Sequence, residues 1–175
     1  RKTLETADEL NNDAEQALAD NQLAEAEETE QMVSETTLEA ATQADEAGLP
    51  EPVAEAIEEA KDSAKEAAEA TATANDTKDN EAVAEEAVAD AGEDIKEAIG
   101  RTSEAEEEAR KNALAAKLGE LNRAVDTLER AAAEARENAG LLSDNKAPNK
   151  QDNEAIKEDF NTTAELAKEI AKGVE

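Results

Sequence analysis

Small apolar residues, most of them Ala, recur along this chain at spacings of three and four, with Glu and other polar residues between them. That is the period of helices and not of strands. The first helix is predicted over about residues 2–47. Leu4, Ala7, Ala14, Leu18, Ala26, Val33, Ala40, Ala44 and Ala47 share a face there only if the repeat drifts toward eleven residues. Such a drift gives a nearly straight stripe instead of a strict heptad. Asn11 and Asn21 interrupt it, and Gly48-Leu49-Pro50-Glu51-Pro52 ends it with Gly at the cap and Pro just beyond.

A second helix is predicted over 53–74, where Val53, Ile57, Ala60, Ala64, Ala67, Thr71 and Ala74 alternate at four and three. Residues 75–80 are rich in Asn, Asp and Thr, which bond their own backbone and cap helices. The third helix, 79–99, carries Ala84, Val88, Ala91, Ile95 and Ala98 and ends near Gly100. Ser103 with Glu106 reads as a capping box that opens a fourth helix over 103–139, closed by Gly140. Its second half holds the largest apolar seam: Leu114, Leu118, Leu121, Val125, Leu128, Ala132, Ala135 and Ala139. After a polar loop at 141–152, a fifth helix over 153–173 uses Ile156, Phe160, Thr163, Ala167, Ile170 and Val174.

These segments predict an all-α fold: an elongated antiparallel bundle of four to five helices with Ala-rich, coiled-coil-like seams, forming a single domain over 1–175. Residues 75–80 are either a kink or a hairpin. The kink is the preferred expectation, because stacking the second helix on the third leaves no long seam of the first unpaired. Both chain ends then lie at the same end of the rod. The fourth helix is expected at the centre, its Arg and Lys facing acidic neighbours.

Composition narrows the function classes. The chain of 175 residues carries 47 acidic and 18 basic side chains, a net charge of −29. Leu, Ile, Val and Phe together number only 25. With that charge, so few large apolar residues favour disorder unless regular helices close thin seams. The absence of His and Cys removes the near-neutral base, the thiolate nucleophile and the usual zinc ligands. A carboxylate pair could still act as acid and base, but needs a desolvated pocket that a chain with one aromatic residue is poorly equipped to line. The expectation is a protein that is not an enzyme and has no cofactor.

The acid excess argues against binding nucleic acid, where Lys and Arg carry the affinity. No stretch reaches the ~18–20 apolar residues of a membrane span. Runs such as Glu27-Glu28, Glu58-Glu59, Glu85-Glu86 and Glu106-Glu107-Glu108 offer weak, diffuse divalent cation binding, with no calcium-loop spacing and no histidine for a di-iron site. No catalytic, cofactor-binding or metal-ligating residue is assigned. An acid excess with few Lys is also what keeps a protein hydrated in strong brine, so a halophilic setting is expected to show as salt-dependent stability.

The leading expectation is a structural or protein-interaction bundle with a strongly acidic surface, part of a larger assembly or surface structure. Its partner is another protein or a second copy of itself, because Ala seams are thin. The alternative is an extracytoplasmic ligand-sensing four-helix region of a transmembrane receptor. Arg1 at the start and helical patterning from Leu4 to Val174 suit a piece cut from something longer. Arg123 and Arg130 are the candidates there for a carboxylate ligand. An extracytoplasmic or secreted setting is slightly favoured over the cytoplasm.

Overall fold

The eleven-residue drift disappears once Asn11, Glu30 and Thr37 are counted as seam positions. All three are fully buried. The stripe then runs Leu4, Ala7, Asn11, Ala14, Leu18 on one helix and Leu23, Ala26, Glu30, Val33, Thr37, Ala40, Ala44 on the next, both alternating at three and four. The expected helix over 2–47 is therefore two heptad helices, α1 (Lys2–Ala19) and α2 (Leu23–Ala47). Between them Asn21 takes a left-handed backbone (φ 59°), and the Gln22 amide donates to the Ala17 carbonyl at 2.8 Å. Asn visits that conformation more readily than most residues because its short polar side chain can hydrogen-bond locally.

The structure, a computed structural model, describes residues 1–77, 80–143 and 150–172. The remaining helices are α3 (Glu51–Thr77), α4 (Glu81–Ser143) and α5 (Lys150–Lys172), and no strand occurs among the described residues. The contacts fall into two compact units, Arg1–Glu108 and Ala109–Glu175.

The first unit is an up-down-up-down bundle of α1, α2, α3 and the 81–108 part of α4. Side-chain bonds fix the neighbours and their directions. Thr3 donates to Gln43 at 3.1 Å, Asn75 to Glu27 at 2.7 Å, and Ser63 to Asp94. Asp8 faces Lys96 at 3.9 Å and Arg1 faces Glu106 at 3.1 Å, which brings α4 back beside α1. Each helix is antiparallel to the one before it, the arrangement that short connections impose. The pairing of Ser63 with Asp94 requires a hairpin at 75–80, so the preferred kink is overturned. The physical reason is that α1 and α2 are themselves a hairpin, and a four-helix core closes only when α3 and α4 fold back likewise. Left-handed residues stand at all three turns: Asn21, Gly48 (φ 61°) and Asn80 (φ 67°). The expected stop at Gly48 is present, its amide bonding the Asp45 carbonyl.

The break expected at 100–103 is absent, and the helices predicted over 79–99 and 103–139 are one. The seam Ala84, Val88, Ala91, Ile95, Ala98, Thr102 passes Gly100 without a change of phase. Packing of that stripe outweighs the ~1 kcal/mol that Gly costs inside a helix. Thr102 donates back to the Ala98 carbonyl at 2.7 Å and caps nothing. Gly140 does not end α4 either. The loop expected at 141–152 lies partly outside the described residues, and what is described there, up to Ser143 and from Lys150, is helix.

The second unit holds the 109–143 part of α4 and α5. Asp159 and Thr163 on α5, and Ala124 and Ala131 on α4, are its buried residues among those described. Arg130 grips Asp159 through both forks, Nε to Oδ2 at 2.9 Å and a second bond from Nη2 to Oδ1. That fixes α5 antiparallel to α4.

Candidate functional site

Two features stand apart from ordinary helix packing, one inside the first unit and one on the second.

In the first unit the apolar core is divided. One cluster gathers Leu4, Ala7, Val33, Ile57, Ala64 and Ile95, the other Ala14, Leu18, Ala26, Ala67, Val88 and Ala91. The division falls at Asn11 on α1, at Glu30 on α2 and at Gly92 on α4. Asn11 Nδ2 donates to the Val88 carbonyl at 3.2 Å and to Glu15 Oε1 at 3.3 Å. Its Oδ1, and both carboxyl oxygens of Glu30, are buried with no protein hydrogen-bond partner. Burial, reinforced by the nearby negative charge of Glu15, pushes the Glu30 carboxyl up to about 8. Glu30 is therefore predominantly neutral at pH 7, which is how a lone carboxyl survives in such a place. Thr37 and Thr71, also buried on seams, satisfy their hydroxyls on the carbonyls of Val33 and Ala67.

On the second unit the largest apolar seam of the chain is open. Leu114, Leu118, Leu121, Val125 and Leu128 are 44–59 % exposed, and Phe160 on α5 is half exposed. The periodicity and charge of the fourth helix predict this stripe at the centre of the bundle. The structure corrects that: α5 packs on the neighbouring face, the one carrying Ala124 and Ala131, and leaves the Leu stripe beside it uncovered. Exposed large apolar residues on the first unit, Met32, Leu38 and Val83, form no such periodic row. Single residues of that kind are normal on a surface, whereas a continuous row is uncommon there.

Charge separates the two units. Residues 1–108 carry 34 acidic and 7 basic side chains, a net −27, and residues 109–175 carry 13 and 11, a net −2. On the first unit Ser63, Glu66, Glu86, Asp90, Glu93 and Asp94 line an open groove of about 380 Å³ between α3 and α4. No group of three acidic side chains among the described residues is arranged to hold a metal ion. The Glu runs of the sequence stay spread along helix faces.

Of the two arginines considered for a ligand carboxylate, Arg130 is occupied by Asp159, whose hydrogen bonds raise the guanidinium further above its ordinary value. Arg123 donates to the Gly119 carbonyl of its own helix at 3.4 Å. No helix among the described residues is long and apolar enough to cross a membrane.

Glu30 and Asn11 were legible as seam residues only if polar side chains were allowed into the heptad. The one available signal was that including them restores a strict alternation of three and four. No family model matches the chain, and neither does any curated protein sequence or solved structure.

Proposed function

We propose that this protein is a non-enzymatic interaction module, an acidic helical bundle carrying a hairpin whose open apolar seam takes a helical partner. The observation that supports it is the seam itself. Five large aliphatic residues repeat at four, three, four and three, and each is about half exposed. That period matches a second helix packing knobs into holes. The chemistry available to the chain agrees with this reading, since it has neither imidazole nor thiol. The acidic first unit repels like-charged neighbours and keeps the bundle dispersed, so that association is directed to the near-neutral hairpin. Weak, diffuse cation binding along the Glu faces accompanies that role.

A photo-reactive amino acid at Leu121, with a control at exposed Glu59, tests the reading. In extract of the source cells, adducts identified by mass spectrometry are expected from position 121 and not from position 59. Absence of any protein adduct at position 121, whether to this chain or another, would overturn it.

A further inference from the structure

Resting on that reading, we infer that the helical partner of the seam is a second copy of this chain, and that two hairpins join antiparallel across Leu118, Leu121, Val125 and Leu128 into a four-helix layer. Three observations select this occupant.

The hairpin is incomplete by itself. Among its described side chains, the only buried apolar ones are Ala124 and Ala131, while the described large aliphatic residues of its α4 part lie in the open row. Two helices cannot enclose both faces of α4, and two hairpins can. The exposed part of the five seam residues is roughly 450 Å² per copy, so a symmetric pair approaches the ~1,000 Å² expected of a specific interface.

The charge fits a like partner. With 13 acidic and 11 basic residues, the hairpin meets its own copy without net repulsion. Contact through the first unit would instead bring two surfaces of net −27 together.

The same charge sets the direction. The acidic unit joins the hairpin at residue 108, the N-terminal side of the seam. A parallel pair would tether both acidic units at the same end of the seam. An antiparallel pair tethers them at opposite ends and is self-complementary: Leu118 layers with Leu128 of the second copy, Leu121 with Val125, and Leu114 with Ala132. The two-fold axis then passes close to Asn122 and Arg123.

Sedimentation equilibrium of the full chain at moderate salt tests the stoichiometry. Twice the 18.5 kDa monomer mass is expected, and a single copy at 100 µM would overturn the inference. The double variant Leu118→Glu with Leu121→Glu is expected to be monomeric at unchanged helicity, whereas Leu38→Glu, an exposed position on α2, stays dimeric. A dimer that survives the double substitution overturns the seam as its interface. Because the chain has no native cysteine, Asn122→Cys and Leu114→Cys read the direction. Oxidation is expected to link two copies at position 122 and not at 114; linkage at 114 overturns the antiparallel arrangement. A monomeric chain whose seam still forms an adduct with a different protein would end this inference and leave the interaction reading standing.

Discussion

Asn11 on α1 and Gly92 on α4 are fitted to each other. A β-carbon on Gly92 would stand 2.7 Å from Asn11 Nδ2, closer than packed atoms tolerate, and a tight 3.2 Å from Glu15 Oε1. The missing side chain lets the Asn11 carboxamide reach the Val88 carbonyl, 77 residues away in sequence. A polar contact of this kind in an otherwise smooth Ala seam fixes which residues lie opposite one another, the best attested use of a buried polar group in coiled coils.

Glycine substitutions should therefore split by position. Gly92→Ala is expected to destabilise the bundle by about 1–3 kcal/mol, because the neighbour is a short, buried, hydrogen-bonded side chain with little room to yield. Gly100→Ala and Gly119→Ala meet nothing within 4 Å and should each stabilise α4 by up to ~1 kcal/mol. Asn11→Ala in the Gly92→Ala background should recover part of the loss. Urea denaturation of the four variants checks the order, and equal effects at positions 92 and 100 would refute the fit.

Glu30 makes stability depend on pH with a definite sign. Its carboxyl titrates at about 8 in the folded chain against an ordinary 4.5. Between those values the folded state holds a proton that the unfolded state has released, so stability falls as pH rises through that window and levels off above it. A shift of that size corresponds to a loss on the order of 5 kcal/mol. Relief of the overall negative charge on acidification acts in the same direction, so the wild-type slope alone does not isolate Glu30. The difference between wild type and Glu30→Gln does: the variant should gain on wild type progressively from pH 5 to pH 8 and no further above it. Parallel curves would show that Glu30 does not carry the effect.

Salt should stabilise the first unit strongly. Its 34 acidic side chains have only 7 basic neighbours, and their mutual repulsion is screened beyond a Debye length of about 10 Å at 0.1 M. The melting temperature should climb between 10 mM and 1 M NaCl, whereas an excised 109–175 fragment, if helical, should respond far less. A melting temperature of the whole chain indifferent to salt would sink both this account and the brine expectation.

The Arg130–Asp159 fork should decide whether α5 docks. Asp159 is buried, and removing its partner leaves a carboxylate without charge compensation. In Arg130→Gln, amide exchange across α5 should accelerate while exchange in α1–α3 is unchanged. Arg130→Lys should rescue only partly, since an ammonium cannot make both parallel bonds. Unaltered exchange in α5 would show that packing of Ala124 and Ala131 suffices.

The sequence by itself determined that this chain is helical and where most of its apolar stripes lie. Ala and Glu favour helix everywhere, and the spacing of Val53 through Ala74 or Leu114 through Ala139 leaves no other period. It also determined the stop at Gly48, because Gly followed by Pro admits no continuation. Tertiary structure decided what local signals could not. Gly100 and Ser103 read as an end and a beginning, yet packing of Ile95, Ala98 and Thr102 carries the helix through them. Asn21 read as a blemish, yet it is the turn between α1 and α2. Asn11 and Glu30 read as interruptions, yet they are core positions, because whether a polar side chain enters a seam depends on what the other helices place opposite it. The Leu row of α4 read as the middle of the bundle. It lies open because α5 takes the adjacent face, and which face a neighbour covers is settled by contacts such as Arg130 with Asp159, far apart in sequence and invisible to periodicity.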